Sequence, residues 1–139
     1  EAAAKDVGII VRVPLASGLL TGKYDRATTF GEGDHRFFNR DGAAFDKGET
    51  FAGVPYEVGL EAVEALRGLI GENQDLAAVA LRWILDYEEV STVIPGVSRA
   101  EQLAWNLAAA DLVPLSAEVR SGVDEIYEGS IKPLVHSLW

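Results

Sequence analysis

Cysteine and methionine are both absent from the 139 residues, and histidine occurs only at His35 and His136. Without cysteine there is no disulfide framework and no thiolate metal site, and two histidines leave little for an imidazole site, so no metal is expected. A cysteine-free composition suits a reducing compartment, and a cytoplasmic location is the expectation. Positive charge is also scarce: 12 Lys and Arg against 22 Asp and Glu give a net charge of −10. Nucleic acid and anionic membrane surfaces both require a basic face, so neither is an expected partner, and any anionic ligand needs a local site. Long apolar runs are missing as well. "VGIIV" and "LAAVAL" fall far short of the roughly 20 residues that span a bilayer, and no signal peptide is expected.

What is present is ordinary for a globular domain: 48% hydrophobic and 24% charged residues, in a chain long enough to bury one core. The sequence starts at Glu1, and "EAAAKD" reads as the tail of a helix already under way. A piece of a larger chain is therefore expected.

"VGIIVRVPL", residues 7–15, is a β-branched apolar run of the kind found in strands covered on both faces in parallel sheets. "ASGLLTGKY" follows, with Gly18 and Gly22 loosening the backbone. Residues 24–56 show no sustained period and form a long loop, a length that is usually functional or mobile. From Tyr56 to Ile70 an amphipathic helix places Val58, Ala62, Ala65 or Leu66, and Leu69 on its apolar face. Asp75 caps a second helix whose stripe of Leu76, Val79, Ala80, Trp83 and Ile84 should face the sheet. "VSTVI" at 90–94 is a short strand. Ser98 and Glu101 form an S-x-x-E capping box for a third helix running to about Ala110, Ser116 caps a fourth, and "SIKPLVHSLW" should be irregular. Two strands joined by a helical crossover indicate an α/β architecture, and two strands alone cannot complete a covered parallel sheet.

Two stretches could carry chemistry. In "IPGVSRAEQ" a helix N-terminus offers free N–H groups, Ser98 a hydroxyl and Arg99 a planar fork suited to phosphate, while Gln102 and Asn106 share one helix face. Capping alone also accounts for Ser98 and Glu101. In "PLASGLLTGK" two glycines and Lys23 could cradle a pyrophosphate, although the spacing is not that of a P-loop; a plain turn with an exposed lysine fits as well. Arg12, inside an apolar strand, needs either a carboxylate partner or a ligand. "HRFF" could be a lid element, and His35 beside Arg36 invites a general-base role, but a lone loop histidine is more often a surface residue. No nucleophile–base pair, metal spacing or carboxylate pair stands out, so no catalytic residue is assigned.

Jointly, "GIIVRVPLASGLLTGKY", "HRFFNRDG", "LAAVALRWIL" and "VSTVIPGVSRAEQLAWNL" resemble the C-terminal part of the aldo-keto reductases, near the potassium-channel β-subunit branch. The resemblance implies the closing part of a (β/α)₈ TIM barrel over residues 1–139, with "GIIVRV" and "TVI" as the last two strands and 24–56 as a loop near the active site. It implies NADPH as cofactor and a small carbonyl compound as substrate. Arg12, Val13, Pro14, Leu15, Ala16 and Ser17 would line the nicotinamide and pyrophosphate region, and Lys23 would add charge to the phosphates. Gly96, Val97, Ser98 and Arg99 would take the adenosine 2′-phosphate, and Gln102 and Asn106 would approach the adenine. Many relatives have an aromatic residue and a serine before the Pro-Leu, where Arg12 and Val13 stand here. The family's catalytic aspartate, tyrosine, lysine and histidine match no segment, so the chain alone is expected to be inactive. A non-catalytic NADPH-sensing module resembling a channel β-subunit is the alternative implied.

Overall fold

The computed structural model describes residues 1–138. Two strands, β1 (Ile9–Arg12) and β2 (Val90–Ile94), pair in parallel, with Val11 opposite Val93 and Arg12 opposite Ile94. A parallel pair needs a crossover, and here it contains α1 (His35–Phe38), α2 (Tyr56–Ile70) and α3 (Leu76–Leu85). After β2 come α4 (Ala100–Ala108), α5 (Ala117–Ile126) and α6 (Lys132–Val135). Among the described residues no helix is long and apolar enough to cross a membrane.

The first strand is shorter and more exposed than its apolar run implies. Val13 has φ 51° and Pro14 follows, which ends the strand at Arg12. Ile10 and Ile94 are 63% and 58% exposed. The reason is that among the described residues each strand has only one neighbour, so the sheet cannot enclose its own side chains.

The core lies instead around the 3₁₀ segment Ala16–Thr21 and α2, where Leu19, Phe51, Tyr56, Leu60, Val63 and Leu76 cluster. The buried face of α2 runs through Tyr56, Leu60, Ala62 and Val63, with Leu66 packed against the core; it shares Ala62 and Leu66 with the face read from the sequence and is rotated away from Ala65, which is exposed. Gly59 explains the rotation: a Cβ there would stand 2.7 Å from Leu19 Cδ1, so glycine lets the 16–21 segment press onto the helix. α3 packs against β2 as expected, and its stripe also meets this body, since Leu76, Val79, Ala80, Trp83 and Ile84 line a crevice with Leu20, Leu66 and Val123.

Residues 24–56 hold only short helical turns, yet Phe30, Phe51 and Val54 insert into or against the core. Asn39, fully buried, ties part of this loop together: its Oδ1 accepts from Ala44 N at 2.9 Å and Phe45 N at 2.8 Å, and its Nδ2 donates to Thr50 Oγ1 at 3.3 Å. A buried amide with its hydrogen bonds made is tolerated where an unpaired one would be costly.

The tail departs from its irregular reading. A π turn (Tyr127–Ile131), α6 and a 3₁₀ turn (His136–Leu138) follow one another, and position 139 lies outside the described residues. Val135 is the cause: it is fully buried, with its Cγ1 3.7 Å from where a Cβ on Gly53 would stand. Between helices, Asp86, with its side chain 1% exposed, is held by Arg82 and Arg120 at 2.7 Å each and accepts from Leu115 N at 2.9 Å.

Candidate functional site

Immediately after β1 the backbone turns sharply. Val13, Ala16, Ser17 and Gly18 all have positive φ (51°, 46°, 56° and 96°). The left-handed region is uncommon for residues with a Cβ and a marked outlier for β-branched valine. Such strain persists only when the surroundings over-determine it, and it clusters at functional sites. Here the turn is held by Gly18 N donating to Leu15 O at 2.9 Å, by Phe51 N donating to the Ser17 hydroxyl at 3.1 Å, and by Arg36 donating to Ser17 O at 3.4 Å.

The turn runs into a cleft of ≈ 290 Å³ that also receives the start of α4. Five residues singled out in the sequence line it: Leu15 and Lys23 from the first stretch, Gly96, Gln102 and Asn106 from the second. Six more line it that sequence reasoning assigned to no site: Thr21, Asp75, Ala77, Ala78, Leu81 and Trp105. Lys23 Nζ lies 5.9 Å from the Trp105 ring centroid and has no carboxylate partner among the described residues. The Asn106 Nδ2 is buried without a hydrogen-bond partner. Asp75 caps α3, accepting from Ala77 N at 3.0 Å and Ala78 N at 3.3 Å.

The start of α4 is built differently from the expected capping box. Arg99, not Ser98, is the N-cap residue, and Gln102 rather than Glu101 reaches back. Its Oε1 accepts from Ser98 N at 2.7 Å, Ser98 Oγ at 2.9 Å and Arg99 N at 3.1 Å. Ser98 lies one residue outside the helix, so the amide at the third helical position is the group able to satisfy these donors. Gln102 therefore spends its carbonyl on the turn and keeps its Nε2 without a protein partner among the described residues.

Other predicted residues lie outside the cleft. Val97, Ser98 and Arg99 are exposed beside it. Ala16 lines a separate apolar crevice of ≈ 200 Å³ with Phe51 and Tyr127, and Pro14 a third of ≈ 170 Å³. Arg12 has a carboxylate partner: its two terminal nitrogens donate to Glu49 Oε1 at 2.9 Å and Oε2 at 2.5 Å. The pairing holds the Glu49 carboxyl below the usual carboxylate range, the direct hydrogen bond being the main cause.

The "HRFF" helix packs beside the same turn. Arg36 is clasped by Asp34 (2.6 and 2.9 Å), bonds the Tyr24 hydroxyl and sits 4.9 Å from the Phe30 centroid. Its hydrogen bond to Asp34 holds that carboxyl down to about 2. His35 Nδ1 lies 3.2 Å from Thr50 Oγ1. Among the described residues no group of three or more His, Cys, Asp or Glu side chains could hold a metal ion.

A sequence profile described as the Aldo/keto reductase family matches residues 1–128. The L-glyceraldehyde 3-phosphate reductase of Escherichia coli O157:H7 is 35% identical over 120 residues, 86% of this chain and 33% of that protein. The human aflatoxin B1 aldehyde reductase member 4 is 36% identical over 76% of the chain and 34% of its own length. A probable voltage-gated potassium channel subunit beta of Arabidopsis thaliana is 32% identical over 78% of the chain and 31% of its own length. The chain thus spans about a third of these curated relatives. Among solved structures, the glycerol dehydrogenase of Gluconobacter oxydans superposes with a TM-score of 0.70 at 25% identity, over 94% of this chain and 37% of that one.

Proposed function

The chain belongs to the aldo/keto reductase family, its two parallel strands and their helices form part of that family's barrel, and from that premise we propose that it supplies the cofactor-binding part of an NADPH-dependent reductase of small aldehydes and ketones. One observation supports this above the rest: stretches 15–23 and 96–106, far apart in sequence, line one cleft beside a strained strand end. In open α/β and barrel folds, phosphate-bearing ligands bind at the carboxyl ends of strands.

The residues fit a phosphorylated dinucleotide. An unpaired ammonium at Lys23, an unpartnered buried donor at Asn106 and the exposed Arg99 fork at the start of α4 suit a polyanion carrying a heterocycle with acceptor nitrogens. Lys23 would hold the phosphates, Ser98 and Arg99 the 2′-phosphate beside Gly96 and Val97, and Gln102 Nε2 and Asn106 the adenine. Arg12, Val13, Pro14, Leu15, Ala16 and Ser17 would form the nicotinamide and pyrophosphate end, with 24–56 as a loop flanking the substrate. NADPH, when bound, supplies the reducing equivalents for a carbonyl carbon. The chain's own part is to bind and orient; no residue in it is assigned a proton-transfer role, so residues 1–139 alone would be inert. In this reading β1 and β2 are the closing strands of the barrel, and the location is cytoplasmic.

A second reading follows from the similarity to the channel subunit beta: a nucleotide-sensing module with little turnover. Following NADPH consumption with an aromatic aldehyde tests both, using protein expressed from the full reading frame. Turnover above blank supports the reductase; tight NADPH binding without turnover supports the sensor; and no NADPH binding contradicts both.

A further inference from the structure

His35, half-buried on α1, has no task in the proposed function, yet the hydrogen bonds behind its ring fix where its proton sits. Asn39 is fully buried. Its Oδ1 accepts from Ala44 N at 2.9 Å and Phe45 N at 2.8 Å, and a flipped amide would set its NH₂ group against both donors. The Asn39 Nδ2 therefore donates, to Thr50 Oγ1 at 3.3 Å and to Asp46 O at 3.4 Å.

Thr50 is 1% exposed, and among the described residues its hydroxyl meets only Asn39 Nδ2 and, at 3.2 Å, His35 Nδ1. Since Asn39 brings a donor, the hydroxyl proton has one acceptor, the Nδ1 lone pair of His35. A proton on Nδ1 would give the Thr50 oxygen two donors and leave its own hydrogen buried without a partner, which is costly. Nδ1 is thus bare and the ring proton sits on Nε2, which has no protein acceptor among the described residues. The result is a free N–H donor whose ring is held in place by a buried relay.

Two ties set this donor beside the end of β1. Arg36, the next residue, donates to Ser17 O at 3.4 Å, and Phe51, next to Thr50, donates its N–H to Ser17 Oγ at 3.1 Å. Barrel enzymes carry their reaction sites at the carboxyl ends of the strands. The Phe45 ring centroid is 6.5 Å from that of His35, Phe38 meets Phe45 edge to face at 6.0 Å, and both phenylalanines are exposed. One fixed polar group against an aromatic surface suits a mainly apolar ligand that carries an acceptor oxygen.

We propose that His35 is a specificity-determining residue: the relay from Asn39 through Thr50 holds its Nε2–H as a donor to a second oxygen beside the reacting carbonyl of an aromatic substrate. Such compounds are then favoured over analogues without that oxygen, which would leave the donor unpaired. The substrate part rests on the reading under Proposed function; the relay does not.

The test uses protein from the full reading frame, unmodified or carrying His35→Phe, Thr50→Val or Thr50→Ser. Heteronuclear NMR near neutral pH reads the ring nitrogens of His35, assigned by their loss in His35→Phe. With NADPH, kcat/KM is measured for methyl ortho-formylbenzoate, which carries the second oxygen, and for its hydrocarbon isostere ortho-sec-butylbenzaldehyde. The unmodified protein and Thr50→Ser should show a bare Nδ1 and a protonated Nε2, and Thr50→Val a mixture of the two tautomers. His35→Phe should lower kcat/KM for the ester about tenfold more than for the isostere, with Thr50→Val acting in the same direction and Thr50→Ser keeping the preference. A proton on Nδ1 in the unmodified protein, or no change of tautomer in Thr50→Val, overturns the relay; should Thr50→Val fail to fold, the unmodified protein alone decides it. The expected tautomer with equal losses on both aldehydes, or with none on either, overturns the specificity role. No turnover of either aldehyde by the unmodified protein, with the tautomer still responding to Thr50→Val, overturns the reductase reading and the substrate part while leaving the relay standing.

Discussion

The Lys23 ammonium stands 5.9 Å from the centroid of the Trp105 ring, joining the two stretches that line the cleft. A cation over an indole face is held by the ring quadrupole, so Trp105 keeps this lysine in the cleft rather than out in solvent. Trp105→Ala should weaken NADPH binding about three- to tenfold, on the scale of such a contact, with Trp105→Phe intermediate. Fluorescence titration checks this, and the unmodified protein should show quenching that Trp105→Phe lacks in part.

Asn106 makes a second prediction, with opposite signs for stability and function. Its Nδ2 is buried and unbonded, and an unsatisfied buried donor costs on the order of 1 kcal/mol or more. Asn106→Leu, of similar volume, should therefore raise stability by about 1 kcal/mol while weakening cofactor affinity. Chemical denaturation and NADPH titration on the same variant provide the two readouts.

The Asp86 cluster predicts a purely structural loss. Burial pushes the Asp86 carboxyl up, but the Leu115 amide, Arg82 and Arg120 together hold it below its usual range. Removing one partner of a buried charge cluster typically costs about 3–5 kcal/mol. Asp86→Asn should unfold at markedly lower denaturant, and protein that still folds should bind NADPH and NADH in the same ratio as the unmodified protein.

Stability should also fall in acid through Asp34. Its folded-state carboxyl sits at about 2, against an unfolded value of 3.8. A depressed carboxyl stabilises above its unfolded value and loses that contribution as pH falls toward the folded one. With side chains at 28% and 25% exposure for Arg36 and Asp34, the pair is worth about 1–2 kcal/mol. Denaturation measured between pH 4 and pH 2 should show this loss in the unmodified protein and not in Asp34→Asn.

Local signals carried much of this structure. The α2 and α3 boundaries, the Asp75 and Ser116 caps and β2 follow from periodicity and capping residues, which act within a few positions. Long-range packing decided what was missed. Val135 organises the tail only because the Phe51–Gly53 turn meets it, and the face of α2 is set by Leu19 against Gly59. In the cleft, Gly96, Gln102 and Asn106 were legible as one helix start, and Lys23 as a cation following the glycine-rich turn. Trp105 was not, since a tryptophan between alanine and asparagine on a helix looks like any core residue until its neighbour in space is known. Glu49 was equally silent: one acid among 22 Asp and Glu, distinguished only by Arg12 at the far end of a loop.

The central claim is that the cleft's α4 side reads a 2′-phosphate, and Arg99→Ala tests it most directly. Dissociation constants for NADPH and NADH should be measured with the unmodified and variant proteins from the full reading frame. The account predicts that NADPH binding weakens by about 1.5–3 kcal/mol while NADH binding barely changes. Equal losses for both dinucleotides, or none for either, would contradict it.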